Sequence, residues 1–189
     1  FDDPANVRAL VTLPQHLVER LPRAGIPTRA EALTAQTAVA VELLLMVPIR
    51  VGNLVALDMD RHIIRSVRRG AVHLSIPGTQ VKNGFDIDAV LPDETVKLLD
   101  LYIDRYRPVI LRQPSSALFP GEGAGAKQKG IFAKQISRCL EIECGLKVNP
   151  HLFRHIAAKL YLDAHPGAYG VVRLVNGHRS VETTTKFYA

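Results

Sequence analysis

The residues with the most to offer chemically lie late in the chain. The run N-P-H-L-F-R-H-I-A-A over residues 149–158 holds His151, Arg154 and His155 within five positions. As a helix start, it places His151 and Arg154 one turn apart on one face, with His155 close to that face. Pro150 suits the first turn and Asn149 can cap it. The apolar Ile156, Ala157, Ala158, Leu160 and Leu162 then bury the opposite side. An imidazole and a guanidinium held at the mouth of a helix suit an anion with a proton to move. His178 follows Asn176-Gly177, and Tyr188 lies ten residues later. Ser180 can cap a short helix with Thr183 and Thr184 in its first turns, which carries Tyr188 on a terminal turn. A tyrosine near histidines and arginines can act as a nucleophile, because basic neighbours lower the cost of a phenolate-like oxygen.

Elements must hold these groups, and the length bounds how many there are. The 189 residues fit one domain, or one domain with a short extension, and can bury a core without staples. The formal charge of +6 and the isoelectric point near 9.5 point to an acidic partner. Nucleic acid leads and an anionic membrane surface comes second. Cys139 and Cys144, five apart, form neither a C-x-x-C pair nor a disulfide framework, so reduced, partly buried thiols in a cytoplasmic protein are expected. The most apolar run, residues 38–47, is interrupted by Glu42 and too short to span a bilayer. No membrane partner or signal peptide is expected. A start at Phe1 and an end one residue past Tyr188 read as a piece of a longer protein.

In chain order, Pro4, Pro14, Pro22 and Pro27 break residues 1–27 into a linker with short helices, whose Leu10, Leu17 and Leu21 can pack on the main body. Thr28 and Glu31 form a capping box, and residues 29–47 read as a long central helix, apolar nearly all round. Pro48 ends it. Arg50 sits at the turn, and a second short helix begins at Asn53, Leu54, Val55 and Leu57. Taken alone, Arg50 is an exposed loop arginine or an ion-pair partner. From Ile63 to Pro92 the pattern has period two and predicts three short strands, with a turn at Lys82-Asn83-Gly84. Asp93 is expected to cap a helix over 94–106, followed by a loop over 107–130 that contains Lys127 and Lys129. A further helix over 130–143 puts Lys134 and Arg138 on the face opposite Ile136 and Leu140. Lys127, Lys129, Lys134 and Arg138 either meet water or contact a phosphate backbone. The fold class is mainly α with a small three-stranded antiparallel sheet (α+β).

Placed in order, these blocks resemble the tyrosine recombinase, or phage integrase, family. V-P-I-R-V-G-N-L-V-A-L-D fits its arginine-bearing turn with Arg50, and Q-V-K-N-G-F-D-I its hairpin lysine with Lys82. H-L-F-R fits the H-x-x-R block with His151 and Arg154, N-G-H the G-H pair with His178, and Tyr188 the terminal nucleophile. The resemblance covers residues 28–189 and implies a catalytic domain without the family's separate N-terminal DNA-clamping domain. It implies a site-specific recombinase that cuts and rejoins double-stranded DNA through a 3′-phosphotyrosine intermediate, needs no cofactor, metal or ATP, and assembles with other protomers on DNA. Arg50 and Arg154 would hold the phosphate oxygens and His178 would donate to them. His151 would help take the tyrosine proton, and Lys82 would protonate the 5′-leaving group, unless Lys127 or Lys129 reaches in its place. The sequence departs from the family pattern in three places. At the Arg50 turn Pro48-Ile49 stands where glycine-leucine is often seen and Asn53 where a glutamate is often found, N-G-H replaces L-G-H, and Phe187 holds the ninth position after His178 where the tyrosine is common. A type IB topoisomerase and a non-cleaving DNA-binding module are the alternatives. His151 and His155 also form H-x-x-x-H, but Leu152 stands where a metalloprotease needs glutamate, so no metal site is expected.

Overall fold

The longest helix begins where its capping box places it. In a computed structural model, which describes residues 3–47, 49–66, 70–147, 150, 153, 155, 156, 158 and 159, helix α2 spans Arg29–Met46. Thr28 Oγ1 accepts from the Glu31 amide at 3.3 Å, and the Thr28 amide donates to Glu31 Oε2 at 2.6 Å. Ala35, Ala38, Val39, Ala40, Val41, Leu43 and Leu44 are all buried, so this helix is the hub. Helices α1 (Pro4–Glu19), α5 (Asp93–Leu101), α6 (Arg107–Ile110) and α7 (Lys129–Cys144) all pack on it.

The short, proline-broken helices expected within residues 1–27 are replaced by one helix, α1. It runs unbroken through Pro14. A proline inside a helix costs ~3 kcal/mol. Leu10, Leu13 and Leu17 fall on one stripe and are essentially fully buried, and each such side chain contributes ~1.5–3 kcal/mol. The stripe therefore outweighs the break. Asp3 caps the helix by accepting from the Ala5 amide at 2.9 Å.

After α2 come two short helices, α3 (Val51–Val55) and α4 (Met59–His62). The sheet follows as β1 (Ile63–Arg65), β2 (Val72–Ile76) and β3 (Ile87–Leu91), antiparallel and in that order. Ile63 pairs with Leu74, and Val72 with Leu91. The alternation is clean on β2: Val72, Leu74 and Ile76 face the core, and His73 and Ser75 lie on the other face. His73 Nδ1 lies 3.3 Å from Asp88 Oδ1 there, a structural role.

Two local expectations need adjustment. Pro92, not Asp93, occupies the cap position of α5, and Asp93 lies in the first turn, where its charge suits the helix dipole. Beyond α5 the chain continues through a π-helical turn, Tyr102–Tyr106, and then α6, so helix persists into the segment read as loop. Tyr102 accounts for the wide turn's position. Its ring is fully buried, its hydroxyl donates to the Leu118 carbonyl at 3.1 Å, and it accepts from Gln36 Nε2 at 3.2 Å. The loop beyond is tied down by Arg107, whose buried guanidinium donates to the carbonyls of Ser115 and Ala117. Gly145 ends α7 in the left-handed region at φ 68°. Phe153 and Ile156 complete the core. Cys139 and Cys144 are free and half-buried, and burial pushes the Cys139 thiol up to about 11.

Candidate active site

Arg50 owes its position to its neighbours. Ile49 and Val51 are both buried, so the turn between α2 and α3 is pinned on either side of it. Its backbone is extended (φ −75°, ψ 150°) at the cap of α3, and the half-buried side chain lines a cleft of about 260 Å³. Lys82 enters the same cleft from the hairpin between β2 and β3. There a 3-10 turn, Gly78–Gln80, leads to the buried Val81, and the left-handed Gly84 (φ 75°) turns the chain back. Gly78 has no room for a side chain. A Cβ there would lie 2.3 Å from the Gly84 carbonyl oxygen.

Lys129, the first residue of α7, supplies a third cation to the cleft. Among the described residues no carboxylate lines it, and the other polar walls are Asn53, His62 and Gln80. The Asp58 amide donates to His62 Nδ1 at 2.9 Å, His62 Nε2 lies 2.9 Å from Gln80 Oε1, and Asn53 Nδ2 donates to the Gln80 carbonyl at 3.0 Å. Asp58 in turn caps α4 and accepts from Ser116 Oγ, a bond that holds its carboxyl below the usual range. Among the described residues, three cations with neutral polar groups and no acid are chemistry that suits an anion such as a phosphate group.

The remaining candidates divide three ways. Lys134 and Arg138 are exposed on α7, opposite the buried Phe132, Ile136 and Leu140. Lys127 departs from the expectation of a phosphate contact. Its ammonium turns inward, donating to Gln36 Oε1 at 2.7 Å and Gln135 Oε1 at 2.6 Å, with the Phe132 ring centroid 5.5 Å away. Burial, and then the charge of Arg29, depress its pKa to about 8. His151, Arg154, His178 and Tyr188 lie outside the described residues, whereas His155 is described and half-buried. The sequence reading missed His62 and Gln80 altogether. No local signal marks them, because their significance is a contact across eighteen residues.

Architecture and cleft together define the class, the mainly helical catalytic-domain fold of tyrosine recombinases with its small antiparallel sheet. The chain belongs to the phage integrase family, which it matches over residues 13–189. Among solved structures it is similar to the XerH site-specific recombinase bound to difH substrate in a pre-cleavage complex, with TM-score 0.71 and 15% identity over 98% of this chain. XerA recombinase gives 0.60 and 21% over 87% of this chain and 61% of its own. A lambda integrase(75-356) dimer bound to a COC′ core site gives 0.53 and 17% over 89% and 60%. At these identities the likeness is one of fold. The chain spans about half of XerH, 48% of its length. No curated protein matches the sequence. Among the described residues no helix is long and apolar enough to cross a membrane.

Proposed function

We propose that this chain carries the catalytic domain of a site-specific DNA recombinase or integrase, cutting and rejoining double-stranded DNA through a 3′-phosphotyrosine on Tyr188. The observation that carries the reading is the cleft. Arg50 and Lys82, from blocks more than thirty residues apart, line one cavity with Lys129 and, among the described residues, without an acid.

The chemistry follows from those types. Attack on phosphorus builds negative charge on the non-bridging oxygens. Arg50 and Arg154 can each hold them through paired N–H donors, and preorganised donors of this kind contribute ~3–4 kcal/mol each. His178 adds another hydrogen bond. Tyr188 attacks with His151 helping to take its proton, and Lys82 protonates the departing 5′-oxygen. The phosphotyrosine keeps a bond of energy similar to the one broken, so rejoining needs neither ATP nor metal. Exposed Lys134 and Arg138 extend the cationic surface towards the DNA backbone, and further protomers of the same chain complete the assembly on DNA in the cytoplasm.

The test is a nicked suicide substrate drawn from DNA flanking the parent gene, incubated with full-length protein in EDTA. A covalent adduct mapped to Tyr188, absent in Tyr188→Phe while DNA binding persists, is the expected result. Cleavage surviving in Tyr188→Phe would defeat the nucleophile assignment. Salt-sensitive binding with no adduct from the wild-type protein would favour a non-cleaving binder, consistent with Phe187 at the ninth position after His178.

A further inference from the structure

We propose that His62 is a positioning residue of this cleft, acting through Gln80 to hold the Lys82 hairpin against the turn that bears Arg50; the proposal rests on the recombinase reading above. The link is a chain of hydrogen bonds whose direction is fixed. The Asp58 backbone N–H donates to His62 Nδ1 at 2.9 Å. A backbone amide has only a proton to give, so Nδ1 presents its lone pair and Nε2 carries the ring hydrogen. That Nε2–H donates to Gln80 Oε1 at 2.9 Å. The Gln80 carbonyl accepts from Asn53 Nδ2 at 3.0 Å. Helix α4, through His62, and helix α3, through Asn53, therefore both grip the residue two positions before Lys82. His62 is 3% exposed, so its ring is held by packing as well as by these bonds.

The hairpin's other hydrogen bonds do not do this. Gly78 N–H to Asp86 Oδ1 (2.6 Å), Val81 N–H to the Gly78 carbonyl (3.0 Å) and Gly84 N–H to the Val81 carbonyl (2.9 Å) all close within the hairpin itself. Asn83 Oδ1 is buried without a partner, so the residue after Lys82 adds no tether by that oxygen. Val81 supplies an apolar anchor, which fixes depth but not direction. Among the described residues, the orientation of Lys82 over the cleft is therefore set through Gln80.

In the proposed reaction the Tyr188 oxygen bonds to phosphorus, the P–O5′ bond breaks, and the Lys82 ammonium gives its proton to the departing oxygen. A general acid works only within hydrogen-bond reach of the atom it protonates. Loosening the hairpin thus slows the step that needs this proton and spares one that does not.

Gln80→Ala removes the side-chain acceptor and leaves the carbonyl for Asn53. Cleavage by the full-length protein is measured on two nicked DNAs, one with the ordinary 5′-oxygen and one with sulfur bridging at that position, where the thiolate departs unprotonated. We expect Gln80→Ala to slow the ordinary DNA ~10-fold, equivalent to one hydrogen bond of about 1.4 kcal/mol. The sulfur-bridged DNA should stay within about twofold of wild type. Equal slowing on both would make the contact mere fold support and overturn the proposal. Ring-nitrogen NMR of the same protein gives a readout independent of cleavage. A single Nε2–H tautomer at His62 is expected in both proteins, because the Asp58 N–H still donates to Nδ1, with the Nε2 proton exchanging faster with water in Gln80→Ala; an Nδ1–H ring in the wild type, or unchanged exchange in the variant, would overturn the proposal. No adduct from wild-type protein on either DNA would sink the recombinase reading, and the ring spectrum would then decide the His62–Gln80 link by itself.

Discussion

Replacing Lys127 by methionine separates a buried structural cation from a phosphate contact. The ammonium donates to Gln36 Oε1 and Gln135 Oε1, and Gln36 is fully buried. Methionine fills much of the same space but offers nothing to either oxygen. A hydrogen bond from a charged donor contributes ~1.5–3 kcal/mol, and leaving a buried acceptor unmet costs a similar amount. Against this stands the desolvation of the ammonium, which depresses its pKa from 10.5 to about 8, with Arg29 adding to the shift and Glu122 opposing it. The group is partly exposed, so solvent screens the penalty to roughly 1 kcal/mol. The net expectation for Lys127→Met is a loss of ~2–4 kcal/mol near neutral pH. The pH dependence also has a definite sign. Between about 8 and 10.5 the unfolded chain still holds a proton that folded Lys127 has released. The wild-type protein therefore sheds its penalty as pH rises through that window, while below about 8 the penalty is fully present. Urea unfolding of both proteins at about pH 7 and about pH 9.5 checks this, because other titrating groups cancel in the difference. The wild-type advantage should widen at the higher pH. A gap that stays constant or narrows, or a variant of unchanged stability that binds DNA with one phosphate contact fewer, would refute the reasoning.

Two further perturbations probe the cleft and the surface leading to it. Gly78→Ala forces a Cβ against the Gly84 carbonyl, so the hairpin must open; a loss of ~1–3 kcal/mol is expected, with faster hydrogen exchange at Val81 and Gly84. Native exchange at both amides would show that the hairpin absorbs the methyl without moving Lys82. Lys134→Ala with Arg138→Ala should leave stability within ~0.5 kcal/mol of wild type. The same pair should flatten the salt dependence of DNA binding by about two contacts' worth, roughly 1.8 in the log–log slope. An unchanged slope would return both residues to ordinary surface charge.

The legible parts of this molecule are those set by neighbours in the chain. The Thr28–Glu31 box fixes the start of α2, and the period-two pattern with Lys82-Asn83-Gly84 fixes β2, β3 and their turn. Arg50 is readable as a turn residue because Pro48 stops an apolar helical pattern and another pattern begins just after it. The errors come from longer-range terms. Four prolines suggested a broken N-terminal segment, yet the Leu10–Leu13–Leu17 stripe on the core carries the helix through Pro14. Lys127 stands in a glycine-rich loop that reads as surface, but its direction is decided by Gln36, ninety-one positions away. His62 looks like any polar residue near a strand until Gln80 is placed beside it.

The placement of the cations has a common physical cause. Helix α2 is buried over most of its length, and its mid-helix carboxylate, Glu42, accepts from Thr95 Oγ1, so α2 contributes no charge to the cleft. The charges stand where core packing stops: Arg50 at the cap of α3, Lys82 on the hairpin, Lys129 at the first position of α7. Helix α7 packs on both α2 and α3, which brings its N-terminus to the cleft, and the helix dipole there adds to the positive field. Apolar burial thus brings the three elements together, because Ile49, Val51, Val81 and Phe132 each anchor a segment next to a cation or carrying one. Burial of this kind is non-directional. Orientation within the cleft must come from polar bonds, and among the described residues those joining its walls run through Gln80.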